Sequence, residues 1–376
     1  ASNHQLGAEH LFRASLRAYQ ESRNNYFEDL EEAVDEFNRN YGHTDNSYSY
    51  EQLVSIVKQL YHCHIDEHSL DKEAELQNYR SVLLPKTRPV LLLNSKLTTA
   101  QKRFILAREI GYHFLGLQVR ALTSSPEKVE SFEQVFNDFK ASYFAGALLL
   151  NRQRLIDELR NFFLLPHWDY KAVLEMIDRH NVTPEMLFYR WSELIPRFFN
   201  LKLHFLRYNE KHGQIRLIKQ LNISQISVSG GLAMDEHHCR RWLVVRLLRQ
   251  LEKQAKRALL GRSKRQVFVG TQISNFIEGG GRFFCIGISN PFTFNTGVKS
   301  SVAIGLKFDQ KLEKAVHFLQ DRSIPRLEVG TSCERCPLTA EDCIERAAEP
   351  RILVQIQKQR ERERALHRLM VHNPID

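Results

Sequence analysis

The hydrophobic rhythm of this chain changes once, near Leu201, and that change limits the folds open to it. In the N-terminal stretch Leu11, Leu16, Tyr19, Tyr26, Leu30, Ala33 and Phe37 recur at the spacing of one helix face, which predicts one or two long helices over 8–41. Ser, Thr, Asn and Tyr crowd residues 42–50, a linker composition. The order then reads as a helix, a short sheet over 81–94, a helix over 99–117 and a largely helical remainder. Beyond Leu201 alternation takes over: His204-Phe-Leu-Arg-Tyr208 and Gln214-Ile-Arg-Leu-Ile218 flank a turn ending in His212-Gly213, which reads as a hairpin. A helix with a basic face is expected from Asp235 through Trp242, Leu247 and Leu251 to about Leu260, then strands over 266–276, 282–289 and 302–308. The chain is therefore expected to be α+β, with a helical N-terminal segment (1–50), a mostly helical domain (51–197), a sheet-rich domain (198–348) and a charged C-terminal helix (349–376).

With 376 residues, 43% of them hydrophobic, the chain can bury two or three cores, so disorder is not the default. The longest apolar run, residues 143–150, is too short to cross a bilayer, and the first residues show no charged-then-apolar leader. A cytoplasmic protein is expected. Its net charge of +9 favours polyanions, either nucleic acid or a phosphate-rich ligand, without choosing between them.

Cysteine spacing is the strongest positive signal. Cys333-Glu-Arg-Cys336 and Cys343 place three thiols in eleven residues. In a reducing compartment such clustering suits a metal site, zinc or iron–sulfur, better than a disulfide framework; reduced thiols without metal are the plainer alternative. Cys63 and Cys285 fit no spacing and read as core residues.

A second signal is negative. Phe104-Ile-Leu-Ala-Arg108-Glu109-Ile-Gly-Tyr112-His113 has the frame of the H-E-x-x-H zinc-peptidase helix, but Arg108 and Tyr112 occupy the two histidine places. Arginine does not release its proton to bind a metal and a neutral phenol is a poor ligand. Only the would-be general base, Glu109, remains, so no catalytic residues are expected and the chain reads as a non-enzyme.

The surrounding residues carry a resemblance. Arg88-Pro-Val-Leu-Leu-Leu-Asn94, then Leu97-Thr-Thr-Ala-Gln-Lys-Arg103 and the degenerate motif, resemble the strand and active-site helix of the ImmA/IrrE metallopeptidase family. Lys140-Ala-Ser-Tyr-Phe144-Ala145 resembles its next helix, with Lys140 where that family has its third zinc ligand. Cys239-Arg-Arg-Trp242, Cys333-Glu-Arg-Cys336 and Asp342-Cys343-Ile-Glu-Arg346 resemble the C-terminal domain of the short-chain fatty acyl-CoA transcriptional regulators. The resemblance spans roughly residues 50–350. It implies a zincin-like pseudo-peptidase domain, acyl-CoA as effector, DNA as target through a helix-turn-helix domain not seen in this chain, and Cys239 as a fourth thiol. One remote cysteine joined to a tight run leans toward a 4Fe-4S cluster over Zn2+. The C-terminal half suggests a GAF- or PAS-like sensor, and a two-fold homodimer is the usual assembly.

Several residues are candidates for contact with an anionic ligand. Arg108 and Tyr112 share a helix face, and Lys140 is expected to approach from the next helix; the structural alternative is an ion pair of Glu109 with Arg108 or Lys140. Glu109 and His113 also suggest a displaced metal site. Lys256 and Arg257 belong to a basic stretch over 253–265 suited to CoA phosphates or DNA, or simply to an exposed helix face. Arg282 follows Gly279-Gly280-Gly281, which reads as a hairpin turn before it reads as a phosphate loop. His237 and His238 flank Cys239 as substitute ligands. The helix pair over 173–190, with Thr183 as cap and Pro184 at its first helical position, is the one in-chain alternative for DNA contact. The expected function is a ligand-sensing regulator; an iron–sulfur redox or iron sensor and a metallopeptidase cleaving a partner repressor are the alternatives.

Overall fold

The computed structural model describes residues 2–42, 47–124, 129–224, 236–259, 267–277, 279–291 and 297–372. Two long helices open the chain, α1 (Ser2–Ser22) and α2 (Glu28–Tyr41), followed by α3 (Tyr50–Tyr61). A three-stranded sheet, β1 (His64–Asp66), β2 (Ser81–Leu84) and β3 (Val90–Leu93), places β3 in the centre, parallel to β1 and antiparallel to β2. Five helices follow: α4 (Thr99–Phe114), α5 (Phe132–Leu149), α6 (Arg152–Phe163), α7 (Tyr170–His180) and α8 (Pro184–Phe199). Capping chemistry fixes their starts. Ser49 with Gln52 and Thr98 with Gln101 form reciprocal capping boxes on α3 and α4, and Thr183 accepts from Met186 N as Pro184 opens α8.

The second half is a six-stranded sheet. Its strands are β4 (Leu203–Lys211), β5 (Gln214–Asn222), β6 (Phe268–Phe276), β7 (Gly281–Pro291), β8 (Lys299–Lys307) and β9 (Arg326–Val329), in the order β5-β4-β8-β7-β6-β9. All neighbours are antiparallel except β9, which runs parallel to β6. The first hairpin turns at His212 and Gly213, both with positive φ (52° and 80°), which the right-handed strand twist favours. Along β5 the pairing with β4 slips by one residue at Ile218: Arg207 faces Lys219 but Tyr208 faces Leu217, a β-bulge.

Both faces of this sheet are covered. On one, Leu203, Phe205, Ile286, Val302 and Ile304 join Phe162, Phe188 and Trp191 of α6 and α8 in the largest core. On the other lies α9 (Leu243–Leu259), whose Leu243 and Leu247 press onto Gly270 and Gly287; a Cβ at Gly287 would stand 2.9 Å from Leu247, so glycine lets the helix seat this closely. The N-terminal helices are not set apart from the first unit. Phe27, just before α2, and Leu30, Val34 and Phe37 of α2 share one core with Ile110 of α4 and Phe139, Tyr143 and Phe144 of α5.

Three expectations change. The helix expected from Asp235 starts only at Leu243, because residues 237–242 are drawn away by hydrogen bonds to the loop after β9, described below. The helix pair over 173–190 exists, but α8 buries Leu187, Phe188, Arg190, Trp191 and Leu194 in the core, so it is a packed helix and not one presented to a DNA groove. A short helix α10 (Gln310–Ala315) and β9 were not foreseen; α11 (Arg351–His372) extends the charged tail helix, its apolar Leu366, Leu369 and Met370 exposed.

Candidate functional site

Thr98 starts α4 in a phase that brings Glu109 inward, where it is 2% exposed. The carboxylate is not paired with Arg108 or Lys140. Arg120, on the segment after α4, holds it with two parallel bonds, Nη1 to Oε1 at 2.9 Å and Nη2 to Oε2 at 2.7 Å, and His113 Nε2 lies 3.1 Å from Oε1. Burial works to raise the Glu109 carboxyl, but His113 and Arg120 outweigh it and hold it down to about 2. The Arg120 guanidinium also lies 3.7 Å above the Tyr112 ring. It therefore fills the space in front of Glu109 where a polarised water would have to sit.

Arg108 and Tyr112 do share a face, and both turn to Asp138 of α5: Arg108 Nη1 donates at 3.3 Å and Tyr112 Oη at 2.9 Å. Asp138, two residues before Lys140, is thus the side chain that α5 contributes here. Lys140 instead sets its ammonium 4.7 Å from the centre of the Phe136 ring. The displaced metal site suggested by Glu109 and His113 is taken up by the Arg120 pair, and among the described residues no three His, Cys, Asp or Glu side chains stand in metal-binding geometry.

Next to this cradle is a cavity of about 210 Å³ between the two halves of the molecule. Gln101 and Phe104 of α4, Ser142 and Gly146 of α5 and the first turns of α8 form one wall; Arg207 of β4, Lys219 of β5, Asn290 of β7 and Ser300 and Val302 of β8 form the other. Arg80, just before β2, also lines it. Arg207 Nη1 meets Glu185 Oε2 at 2.7 Å. Burial pushes the Arg80 guanidinium below its usual range; Glu185 counters this, while Arg207 and Arg108 add to it through like-charge repulsion. Arg108 is therefore within electrostatic reach of the cavity. Burial disfavours ionised Glu185, but Arg207, Lys219 and Arg80 outweigh it and keep the carboxyl below its usual value. At the floor Arg190 is fully buried, bonded to Glu31 at 2.6 and 2.9 Å and to Glu193 at 2.7 Å. Burial, only partly offset by Arg190, pushes Glu193 up to about 8. With Arg190 shared between Glu31 and Glu193, the lining brings Arg80, Arg207 and Lys219 around Glu185.

Cys239 meets the loop that carries Cys333 and Cys336 at the far edge of the sheet. Residues 237–242 are stitched to the loop after β9: Cys333 N donates to His237 O at 2.9 Å, His237 N to Glu334 Oε2 at 2.9 Å, Trp242 Nε1 to Gly330 O at 2.7 Å and Arg241 Nη2 to Asp342 O at 2.6 Å. Cys239, Cys333, Cys336 and Cys343 are all buried free thiols, and Cys239 lies within electrostatic reach of Cys333 and Cys336. Burial raises the Cys239 thiol to about 11, against backbone N–H groups of Arg241 and Gly330 that point at its sulfur. Ala347 N donates to Cys333 Sγ at 3.4 Å, and a Glu345 N–H likewise serves Cys343. Such N–H to sulfur bonds favour thiolate, the form that binds metal. His237 Nδ1 is 2.6 Å from Glu334 Oε1, so it is tied to a carboxylate; His238 turns to Tyr208 Oη at 3.4 Å. Cys63 and Cys285 are buried elsewhere.

Of the remaining candidates, Arg282 is exposed and stacks 3.8 Å from the Phe308 ring centre, away from the cavity. Gly279 and Gly281 have positive φ in the β6–β7 turn, as a hairpin requires. The side chains of Lys256 and Arg257 lie outside the described residues.

Comparison with known proteins agrees with this layout. Residues 50–192 match the family model of the IrrE N-terminal-like domain, the unit that carries the degenerate cradle. Among solved structures, one of a Mycobacterium tuberculosis transcriptional regulator is similar over 89% of this chain and 93% of that chain, with a TM-score of 0.60 and 18% identity, a likeness of fold. No curated protein matches the chain. Among the described residues no helix is long and apolar enough to cross a membrane.

Proposed function

We propose that this chain is a ligand-sensing transcriptional regulator, or the sensor portion of one, that responds to a short-chain acyl-CoA and acts in the cytoplasm. The observation that carries this reading is the convergence of Arg80, Arg207 and Lys219 on the interdomain cavity around Glu185, with Arg108 nearby and Arg190 shared between Glu31 and Glu193 at the floor. Buried like charges repel, and an anionic ligand relieves that repulsion. Phe104, Met186 and Val302 supply an apolar side for an acyl chain. At about 210 Å³ the cavity falls below the range of about 300–1,000 Å³ typical of sites that engulf a drug-sized ligand, so it takes one end of an acyl-CoA and leaves the rest at the mouth. The Arg120 clamp on Glu109 supports a non-enzymatic role. The printed description of the similar solved structure, a transcriptional regulator, and the sheet order β5-β4-β8-β7-β6, antiparallel with a helix across one face as in GAF and PAS modules, support the sensor reading. DNA contact belongs to a separate domain or to the dimer, and the exposed α11 is the element we assign to a second copy.

In the same reading Cys239, Cys333, Cys336 and Cys343 hold a 4Fe-4S cluster, or Zn2+ as the alternative. All four are thiols, the donor type that both groups take, and N–H groups aim at Cys239, Cys333 and Cys343, but the four do not stand together in ligand geometry here and would have to draw in to close the site. Bound there, the group would tie residues 237–242 to the loop after β9; a cluster would add redox sensitivity, which would favour the iron-sensor alternative if acyl-CoA has no effect. Calorimetric titration with CoA, acetyl-CoA and propionyl-CoA tests the ligand: Arg80→Gln/Arg207→Gln is expected to weaken binding at least about tenfold, the loss of two charge-assisted bonds. No heat with any of the three defeats the acyl-CoA assignment. Anaerobic purification with iron, sulfide and zinc analysis decides the metal.

A further inference from the structure

Helix α8 faces the cavity on one side and the N-terminal helices on the other. Tyr189, Arg190 and Glu193 line the cavity. The same stretch of helix holds the α1–α2 junction: Gln20 Nε2 donates to Tyr189 Oη at 2.7 Å, Asn25 Nδ2 donates to Ser192 Oγ at 3.1 Å, and Arg190 clamps Glu31. Gln20 Nε2 lies 2.9 Å from Asn25 Oδ1, and Gln20, Asn25 and Ser192 are all buried. Beside this junction Glu21 accepts from Asn222 N at 2.7 Å, on the strand that carries Lys219. On the cavity side the Lys219 ammonium rests 3.5 Å from the centre of the Tyr189 ring. A buried polar set bonded this fully has one good arrangement, and a displacement of an ångström breaks bonds that water does not replace.

We propose that α8 reports the state of the interdomain cavity to α1 and α2, with Tyr189, Arg190 and Ser192 as the positioning residues that couple the two sides. The inference rests on reading the cavity as a ligand site. An anion drawn to Lys219 lifts that ammonium from the Tyr189 ring, and the hydroxyl of the same tyrosine holds Gln20. Occupancy thus reaches the N-terminal helices through side chains in direct contact, with α8 as the element that both sides bias.

Hydrogen exchange of the full chain tests this with two probes of occupancy: propionyl-CoA, and Ser300→Phe, which fills the cavity from β8 with no ligand added. Ser300→Leu replaces the latter if circular dichroism shows that Ser300→Phe does not fold. Both probes are expected to change amide exchange over residues 8–22 by about three- to tenfold, the scale of one hydrogen bond made or lost. In Gln20→Leu/Ser192→Ala, where neither residue lines the cavity, that response disappears while propionyl-CoA affinity by calorimetry changes less than about threefold, as expected for residues without ligand contact. A filled cavity, by either probe, with exchange over 8–22 unmoved overturns the relay. If calorimetry detects no propionyl-CoA binding, the ligand assignment fails separately and the serine variant alone decides the relay.

Discussion

Replacing Arg120 by Met gives a direct measure of what occupies the peptidase cradle. The substitution removes both bonds to Glu109, at 2.9 and 2.7 Å, and the stack on Tyr112, and leaves a carboxylate that is 2% exposed with His113 as its remaining partner. Two routes give the size of the effect. Breaking one side of a buried pair costs about 3–5 kcal/mol. A carboxyl held at about 2 instead of 4.5 contributes about 3 kcal/mol at neutral pH. The second figure is shared between Arg120 and His113, which stays, so Arg120→Met is expected to lower unfolding stability by about 2–3 kcal/mol in urea at pH 7. Because the folded-state value is depressed, this contribution is present above pH 4.5 and lost as pH falls toward 2; the wild-type and Arg120→Met curves should therefore converge through that window. Glu109→Gln/Arg120→Met, which removes the stranded charge, should recover at least half of the loss. A penalty below about 1 kcal/mol, the level of an exposed ion pair, or curves that stay parallel down to pH 2, refutes the clamp.

Restoring the two lost imidazoles with Arg108→His/Tyr112→His should not restore zinc uptake by elemental analysis until Arg120→Ala is added, because Arg120 fills the site; zinc in the double variant contradicts this. Glu193, held at about 8, contributes stability that is complete below pH 4.5 and lost as pH rises through 8, so Glu193→Gln should flatten a Tm-against-pH profile between about pH 4.5 and 8. Gly305→Ala would bring a methyl within 2.2 Å of the buried His204 ring, and a loss of about 1–3 kcal/mol in chemical denaturation is expected; an unchanged midpoint would mean the ring can move aside. Trp242→Phe removes the bond to Gly330 O and should cost about 1 kcal/mol, and reduce metal retention by the cysteine loop on dialysis.

Local signals were legible in the sequence. Thr183 with Pro184, His212-Gly213 and the triple glycine each act within four residues, and each marks the element boundary it was expected to mark. The loss of the peptidase ligands could be read from Arg108 and Tyr112 alone. What fills the cradle could not: Arg120 comes from a segment eleven residues beyond Glu109, and its place is set by tertiary packing. Lys140 was misplaced by helix phase, since a shift of two residues along α5 turns a side chain roughly 200° around the axis and presents Asp138 in its stead. The cavity is a longer-range product. Arg80, Arg207 and Lys219 belong to different strands or their flanks and are unremarkable among 53 basic residues until the sheet brings them together. Glu31 and Arg190, 159 positions apart, left no mark on the local pattern.

The slip at Ile218 has a consequence for how this protein tolerates change. Ile215 and Leu217 pack beneath α9, yet Lys219, Leu221 and Ile223 serve the opposite face, although all five carry odd numbers and would share one side of an uninterrupted strand. One supernumerary residue inverts the parity of everything downstream of it. Deleting Ile218, itself half exposed and outside both cores, would make Leu217 and Lys219 direct neighbours in a regular ladder, still facing opposite layers, so an inconspicuous surface position is where the edge strand can lose a residue without changing which face its side chains serve.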